Sequence, residues 1–309
     1  MVEWSSDRVN RIKQRLNPKY ISALIRSALR EDLGRAGDIT TSGLLPKHRT
    51  LTALICAKEK GVLCGAAIAR EVFRCACPGA RVRILTPDGS PLTPGRKILR
   101  VTGSRDILSA ERTALNFLQR LSGIATLTSA FVKKAAGTRA HIYDTRKTTP
   151  ALRVLEKYAV RCGGGQNHRM GLYDSVMIKD NHIQALARKE SSGSALRALQ
   201  SFVARRRKAA PQAKITMEAK NASEIGMALA LKADVILLDN MSPRGLRKAV
   251  QRIRAAAEIR KGRVEIEASG SVTLKNVRRV AETGVDRISI GALTHSAPAL
   301  DLSLNLIEQ

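Results

Sequence analysis

Seven side chains in the carboxyl-terminal part of this chain have the types and spacing to do chemistry together. Arg146, Lys147, His168, Arg169 and Lys179 form a cationic group, and Glu218 and Asp239 supply two carboxylates. Guanidinium forks grip carboxylate or phosphate oxygens two at a time, and lysines add point charges. A pair of carboxylates can hold ribose hydroxyls or a Mg²⁺ that bridges phosphates. The ligand that suits such a set is small and polyanionic. Taken singly, each cation sits by default in a surface salt bridge, and each carboxylate fits a structural ion pair equally well.

The elements that must position these groups are short β-like runs alternating with helical patterns. Six runs span 141–144, 175–178, 214–217, 234–238, 264–267 and 287–290. They end respectively in Thr145-Arg146-Lys147, Lys179-Asp180-Asn181-His182, Glu218, Asp239-Asn240, Ser269-Gly270-Ser271 and Gly291-Ala292. Repeated β/α units predict a parallel sheet, closed or nearly closed as a barrel, whose strand ends all project onto one mouth. The last two ends, with Ile290 leading into Gly291, fall where barrels build a phosphate cradle from backbone N–H groups and a helix N-terminus. Gly163-Gly164-Gly165 precede Gln166-Asn167-His168-Arg169. Three glycines let the following His and Arg turn inward, and a plain flexible loop is the competing reading.

Upstream of these runs the pattern predicts a smaller α+β domain. Asn17 caps and Pro18 opens a helix through Ile21–Leu29 that ends near Gly34, and a loop follows to Asp38. β-like runs at 51–57, 81–85 and 97–102 flank a Pro87-Asp88-Gly89 turn. From Ile107 to about Lys134 a long helical pattern carries the chain into the second domain.

Composition excludes several classes. The 309 residues are 44% hydrophobic, so a chain of this length can bury about 75% of the surface its unfolded form exposes. Five cysteines, Cys56, Cys64, Cys75, Cys77 and Cys162, are odd in number and lack CxxC spacing. That speaks against a secreted disulfide framework and a structural zinc site, and for reduced cytosolic thiols. The longest nearly apolar stretch, 61–69, is too short to span a membrane, and the first residues lack a signal-peptide core. The net charge of +28 and the pI near 10.8 suit a nucleic-acid binder or an enzyme of polyanionic substrates. Basic residues are nevertheless spread along the chain, with one dense run at Arg205–Lys208 that reads as a solvated helix end. Aromatics are only 3%, and no RNA-recognition strands are present. Nucleic-acid binding is therefore expected to be non-specific if it occurs at all.

Several strings make a resemblance specific: Asp144-Thr145-Arg146-Lys147-Thr148-Thr149-Pro150, Glu156-Lys157-Tyr158-Ala159-Val160, Gly163–Arg169, Lys179–His182, Leu238-Asp239-Asn240-Met241 and Gly291–Ala297. Upstream stand Arg30–Gly34, Gly37–Thr41 and Glu111–Asn116, so the match runs over roughly residues 20 to 303. The chain resembles the quinolinate phosphoribosyltransferase family, the carboxylating nicotinate-nucleotide pyrophosphorylases. The resemblance implies a type II phosphoribosyltransferase fold. Residues 1–118, joined by 296–309, would form an α/β sandwich domain, and 119–295 an open α/β barrel.

It also implies a homodimer, with a higher homo-oligomer left open, in which Arg112 acts across the interface; the unpaired cysteines add the expectation of a cytoplasmic protein. Arg146, His168, Arg169 and Lys179 would hold the two quinolinate carboxylates, beside Thr145. Lys147, Glu218 and Asp239 would be the catalytic set, holding phosphoribosyl pyrophosphate and the Mg²⁺ on its pyrophosphate. Ser269, Gly270, Ser271, Ile290, Gly291 and Ala292 would hold its phosphate. The implied reaction, in de novo NAD biosynthesis, gives nicotinate mononucleotide, pyrophosphate and CO₂. Two departures stand out. Ser271 replaces the family's usual glycine, and Ala219-Lys220-Asn221 is more basic than usual.

Overall fold

The computed structural model describes residues 17–187, 192–259 and 263–308, which fall into two compact units. The first takes in the chain up to Ser129, then Thr149–Gly164, and everything from Ala292. The second comprises Ala130–Thr148 and Gly165–Gly291.

The first unit starts with α1 (Pro18–Leu33). The Asn17 side chain accepts the N–H groups of Lys19 and Tyr20, Pro18 takes the first turn, and Gly34 ends the helix at φ 52°. Ile21, Ile25 and Leu29, spaced by four, form its buried stripe. A short helix α2 (Ile39–Leu44) follows the expected loop, and the sequence pattern did not announce it. Its cap is Asp38, which accepts the Thr41 N–H at 2.9 Å. Then come β1 (Leu51–Ala57), β2 (Gly61–Val62), α3 (Ala66–Ala76), β3 (Arg81–Ile84), β4 (Pro91–Leu92), β5 (Lys97–Gly103) and the 30-residue α4 (Asp106–Ala135). The apolar 61–69 stretch is thus a two-residue strand and the start of α3 rather than one element.

The chain next contributes β6 (His141–Tyr143) to the second unit and α5 (Arg153–Cys162) to the first. Gly163 ends α5 where a Cβ would lie 2.3 Å from the Ala125 carbonyl oxygen of α4. Close helix packing, rather than looseness, is what this first glycine of the triplet supplies.

The second unit continues with β7 (Val176–Ile178), α6 (Asp180–Ala187), α7 (Ser192–Ala209), β8 (Ile215–Ala219), α8 (Ala222–Ala230), β9 (Val235–Asp239), α9 (Pro243–Ile259), β10 (Glu265–Ser269), α10 (Val277–Ala281) and β11 (Arg287–Ser289). The basic run closes α7, where cations complement the helix carboxyl end. Arg207 also donates to the Lys232 carbonyl and to Asp234. The first unit is completed by α11 (Ala292–His295) and β12 (Leu302–Leu306).

In the first unit, β12-β1-β5-β3 form an antiparallel sheet. In the second, the order β6-β11-β10-β9-β8-β7 is parallel throughout. Consecutive β/α units place each strand beside the previous one, while β6 pairs with β11, so the wall curves round and stays open between β6 and β7. A single parallel bridge, Tyr143 to Gln166, extends the β6 edge.

Candidate active site at the strand ends of the parallel sheet

Register decides what shares a face. Residues paired across parallel strands point the same way. The pairings align Glu218, Leu237, Glu267 and Arg287 in one row, and Asp239, Ser269, Ser289 and Tyr143 in the next row toward the strands' carboxyl ends. The alternate positions, among them Ile236, Leu238, Ile266, Ala268, Ile288 and Ile142, are buried and apolar. One face of the sheet is therefore the core under the helices, and the other is polar and bears the site.

Asp144, fully buried just beyond β6, organises the loop that carries the cations. Its Oδ1 accepts the His168 N–H at 2.8 Å, and its Oδ2 accepts from Asn167 Nδ2 at 2.6 Å. Gln166 adds backbone bonds to Ile142 and Asp144, and accepts the Tyr143 hydroxyl at 2.6 Å on its side-chain oxygen. His168 and Arg169 are thereby fixed against the end of β6, next to the half-buried Thr145 and Arg146 and the exposed Lys147. Arg169 donates to the Ser175 carbonyl. Its pKa is lowered, first by burial and then by the Arg146 charge, against a smaller raising effect from Asp174. Two guanidinium groups close enough to feel each other make a strong anion grip.

Lys179 is exposed after β7, and its backbone N–H donates to His182 Nδ1. Glu218 is the penultimate residue of β8 and Asp239 the last of β9, so both lie within their strands rather than beyond them. The pKa of Glu218 is raised by burial, then by Asp239 and Asp180, with Lys179 and Lys220 opposing. Oxygen donors crowded so that their charges repel suit a hard divalent cation. Lys220, unaccounted for by sequence, donates to Asp180 Oδ2 at 2.6 Å and so belongs to this electrostatic group.

At the expected phosphate cradle, the Ser269 carbonyl accepts the Asn240 N–H at 2.9 Å, and the Gly270 conformation (φ 94°) leaves no room for a Cβ beside Asn240. Ser271 takes the left-handed conformation at φ 49° in spite of its side chain, and its hydroxyl lies 3.3 Å from Asn240 Oδ1. The turn shape a glycine would give is kept, at a cost of about 1 kcal/mol or more. Ile290 is buried and donates its N–H to the Tyr143 carbonyl. Gly291 closes the second unit, and Ala292 opens α11 in the first. Arg112 lies exposed on α4 in the first unit.

Sequence reasoning passed over Asp144 as a loop lock, together with Glu267 and Arg287. The signals for the last two are the Val264-Glu265-Ile266-Glu267 and Arg287-Ile288-Ser289-Ile290 alternations, which put charges on the polar face. A separate buried trio in the first unit, Cys64, Asp88 and Cys162, brings its ligand-type atoms within 4.8 Å of one another. Asp88 there accepts the Ala66 N–H and the Tyr158 hydroxyl, and burial pushes the Cys64 thiol up. The trio therefore reads as a hydrogen-bonded plug that keeps the Cys64 thiol neutral.

An open parallel α/β barrel that brings Lys179 to the Glu218–Asp239 pair and carries Arg146 and Arg169 close to each other at its strand ends has the make-up of an enzyme of small polyanionic substrates. The comparisons narrow the class. The chain matches the quinolinate phosphoribosyl transferase C-terminal domain over residues 124–305 and the N-terminal domain over 38–122. It belongs to the quinolinate phosphoribosyltransferase family. It is 42% identical over 287 residues to the carboxylating nicotinate-nucleotide pyrophosphorylase of Mycobacterium leprae, covering 91% of this chain and 95% of that one. A probable enzyme of the same name from Synechocystis is 41% identical, covering 93% and 92%. The solved nicotinate-nucleotide pyrophosphorylase of Francisella tularensis superposes with a TM-score of 0.82 at 36% identity, covering 95% of this chain and 98% of that one.

Proposed function

We propose that the mouth of the parallel sheet is where this quinolinate phosphoribosyltransferase joins quinolinate to phosphoribosyl pyrophosphate, giving nicotinate mononucleotide, pyrophosphate and CO₂. The observation that carries this placement is that His168 Nε2 lies 3.3 Å from Glu267, in the strand row that also holds Glu218, so the loop of His168 and Arg169 reaches the sheet face that bears the Glu218–Asp239 pair. Quinolinate presents two adjacent carboxylates on a flat ring, which suits two forks and the Lys179 point charge, with His168 in the same loop. Lys147, Glu218 and Asp239 hold the diphosphate sugar, and Thr145 stays beside the quinolinate set. The turn at Ser269, Gly270 and Ser271, together with Ile290, Gly291 and Ala292, takes its 5′-phosphate.

The carboxylates of Glu218 and Asp239 would hold Mg²⁺, which when bound neutralises charge on the pyrophosphate oxygens. The chain's own residues orient the pyridine nitrogen toward C1 of the ribose, and positioning lowers the barrier to transfer. Once that nitrogen is quaternised, its positive charge stabilises the carbanion left at the neighbouring ring carbon, so the adjacent carboxylate can leave as CO₂ and the carbon then takes up a proton from Lys147 or from water.

The chain works in this reading as a homodimer in which Arg112 of the partner subunit completes each mouth. The reaction is assigned to the cytosol, in keeping with free cysteines among the described residues and with no described helix long and apolar enough to cross a membrane. The +28 charge acts as a diffuse field that draws in anionic substrates and binds nucleic acid without sequence preference.

The test is pyrophosphate release by pure protein with the diphosphate sugar and Mg²⁺. Release should require quinolinate and should not occur with nicotinate in its place. Glu218→Gln and Asp239→Asn should lose this turnover while still binding quinolinate. Full turnover by both variants, with an unchanged Mg²⁺ requirement, would make these carboxylates structural and remove the placement.

A further inference from the structure

Glu267 is fully buried on β10, in the row that also holds Glu218, and neither of its carboxylate oxygens makes a hydrogen bond. A buried carboxylate left this way calls for an explanation, because desolvating it is costly. Two cationic or protonatable groups face it. His168 Nε2 stands 3.3 Å from Oε1, and Arg287 Nη1 stands 3.9 Å from Oε2. Arg287 is already engaged, through Nη2, with Glu265 Oε2 at 2.6 Å, and it lies over the Tyr143 ring at 4.7 Å. His168 is the neighbour that leads toward the site.

The orientation of the imidazole follows from its other nitrogen. His168 Nδ1 accepts the backbone N–H of Arg169 at 2.8 Å, so the neutral ring carries its proton on Nε2, on the side of Glu267. The ring is only 8% exposed. A continuous line therefore runs from the Glu267 carboxylate through the His168 ring to the backbone of Arg169, one of the two paired guanidinium residues.

We infer that Glu267 is a positioning residue for quinolinate, acting through His168 to hold Arg169 in its gripping pose. This rests on the mouth being the quinolinate site. Removing the charge takes away the carboxylate that faces Nε2 and shifts the ring and the Arg169 backbone bound to it, and a displacement of about 1 Å at such a site costs up to about 100-fold.

The experiment measures KM for each substrate, kcat, thermal melting and the ¹⁵N resonances of the His168 ring in Glu267→Gln, with His168→Ala alongside. Glu267→Gln should raise the quinolinate KM by roughly tenfold or more, leave the phosphoribosyl pyrophosphate KM within about twofold, and shift the His168 Nε2 resonance. An unchanged quinolinate KM, or equal rises for both substrates, overturns the inference. If Glu267→Gln does not fold, Glu267→Asp carries the test. It keeps the charge at a shorter reach and should show a smaller rise confined to quinolinate, so no rise, or a rise for both, is again fatal. If His168→Ala weakens quinolinate and Glu267→Gln does not, the relay fails while the site stands. If His168→Ala and Arg169→Lys both leave quinolinate unaffected, the placement of the site itself has failed.

Discussion

Asp144 Oδ1 accepts the His168 backbone N–H at 2.8 Å, so a carboxylate at the end of β6 fixes a loop 24 residues further along the chain. The same carboxylate takes the Asn167 amide on its other oxygen. This joint couples the Asp144–Pro150 string to the Gly163–Arg169 string and makes one cationic surface of two segments. Asp144→Ala strands at least two donors, each worth about 1–3 kcal/mol when buried. It should lower the urea midpoint at unchanged slope and weaken quinolinate binding together. A variant with the parent's midpoint and affinity would show that the joint is dispensable.

The paired guanidinium groups give a second expectation. Arg146→Lys and Arg169→Lys keep the charge and lose the fork, so each should raise the quinolinate KM by about tenfold or more. Titration of quinolinate at fixed diphosphate sugar reads this directly, and parent-like affinity in both variants would dismiss fork recognition.

Asp38 offers a pH test in the first unit. Hydrogen bonds from Thr41, and then from Ser109, hold its carboxyl down at about 2. A depressed carboxylate contributes stability above its unfolded pKa, near 3.8, and loses it as pH falls toward 2. The urea-midpoint gap between the parent and Asp38→Ala should thus be constant near neutrality and close progressively below about pH 4. A gap that instead widens on acidification would contradict the cap.

Much of this was legible in the sequence for physical reasons. Short β-like runs that end in charged or small residues located all six strands of the parallel sheet, because buried parallel strands tolerate few polar residues until they reach the mouth. Asn17-Pro18 and Gly34 marked α1 through cap chemistry. Ile39–Leu44 went unread because a six-residue helix with two exposed apolar side chains, Ile39 and Leu44, has no buried stripe to reveal it. The alternation marks Glu267 as facing the polar side, but its role went unread because that is set by register across four strands, which no local pattern encodes. Lys220 acquires its meaning only through Asp180, forty residues away.

Arg112 tests the proposed dimer. Arg112→Ala and Glu218→Ala should each be nearly inactive alone and complement when co-expressed, since one mouth of a mixed dimer combines intact copies of both. Random pairing makes about half the dimers mixed and about half their mouths intact, so activity should return to roughly a quarter of the parent. Mixed dimers that form, as shown by differently tagged chains co-purifying, and stay inactive would assign Arg112 to its own subunit or to structure alone.

The most direct measurement of the central claim follows quinolinate labelled with ¹⁴C in the carboxyl group next to the ring nitrogen. Pure protein, the diphosphate sugar and Mg²⁺ should release that label as CO₂ in step with pyrophosphate, one for one, leaving nicotinate mononucleotide. Label retained on the ring while pyrophosphate is released, or no pyrophosphate at all, would contradict the account.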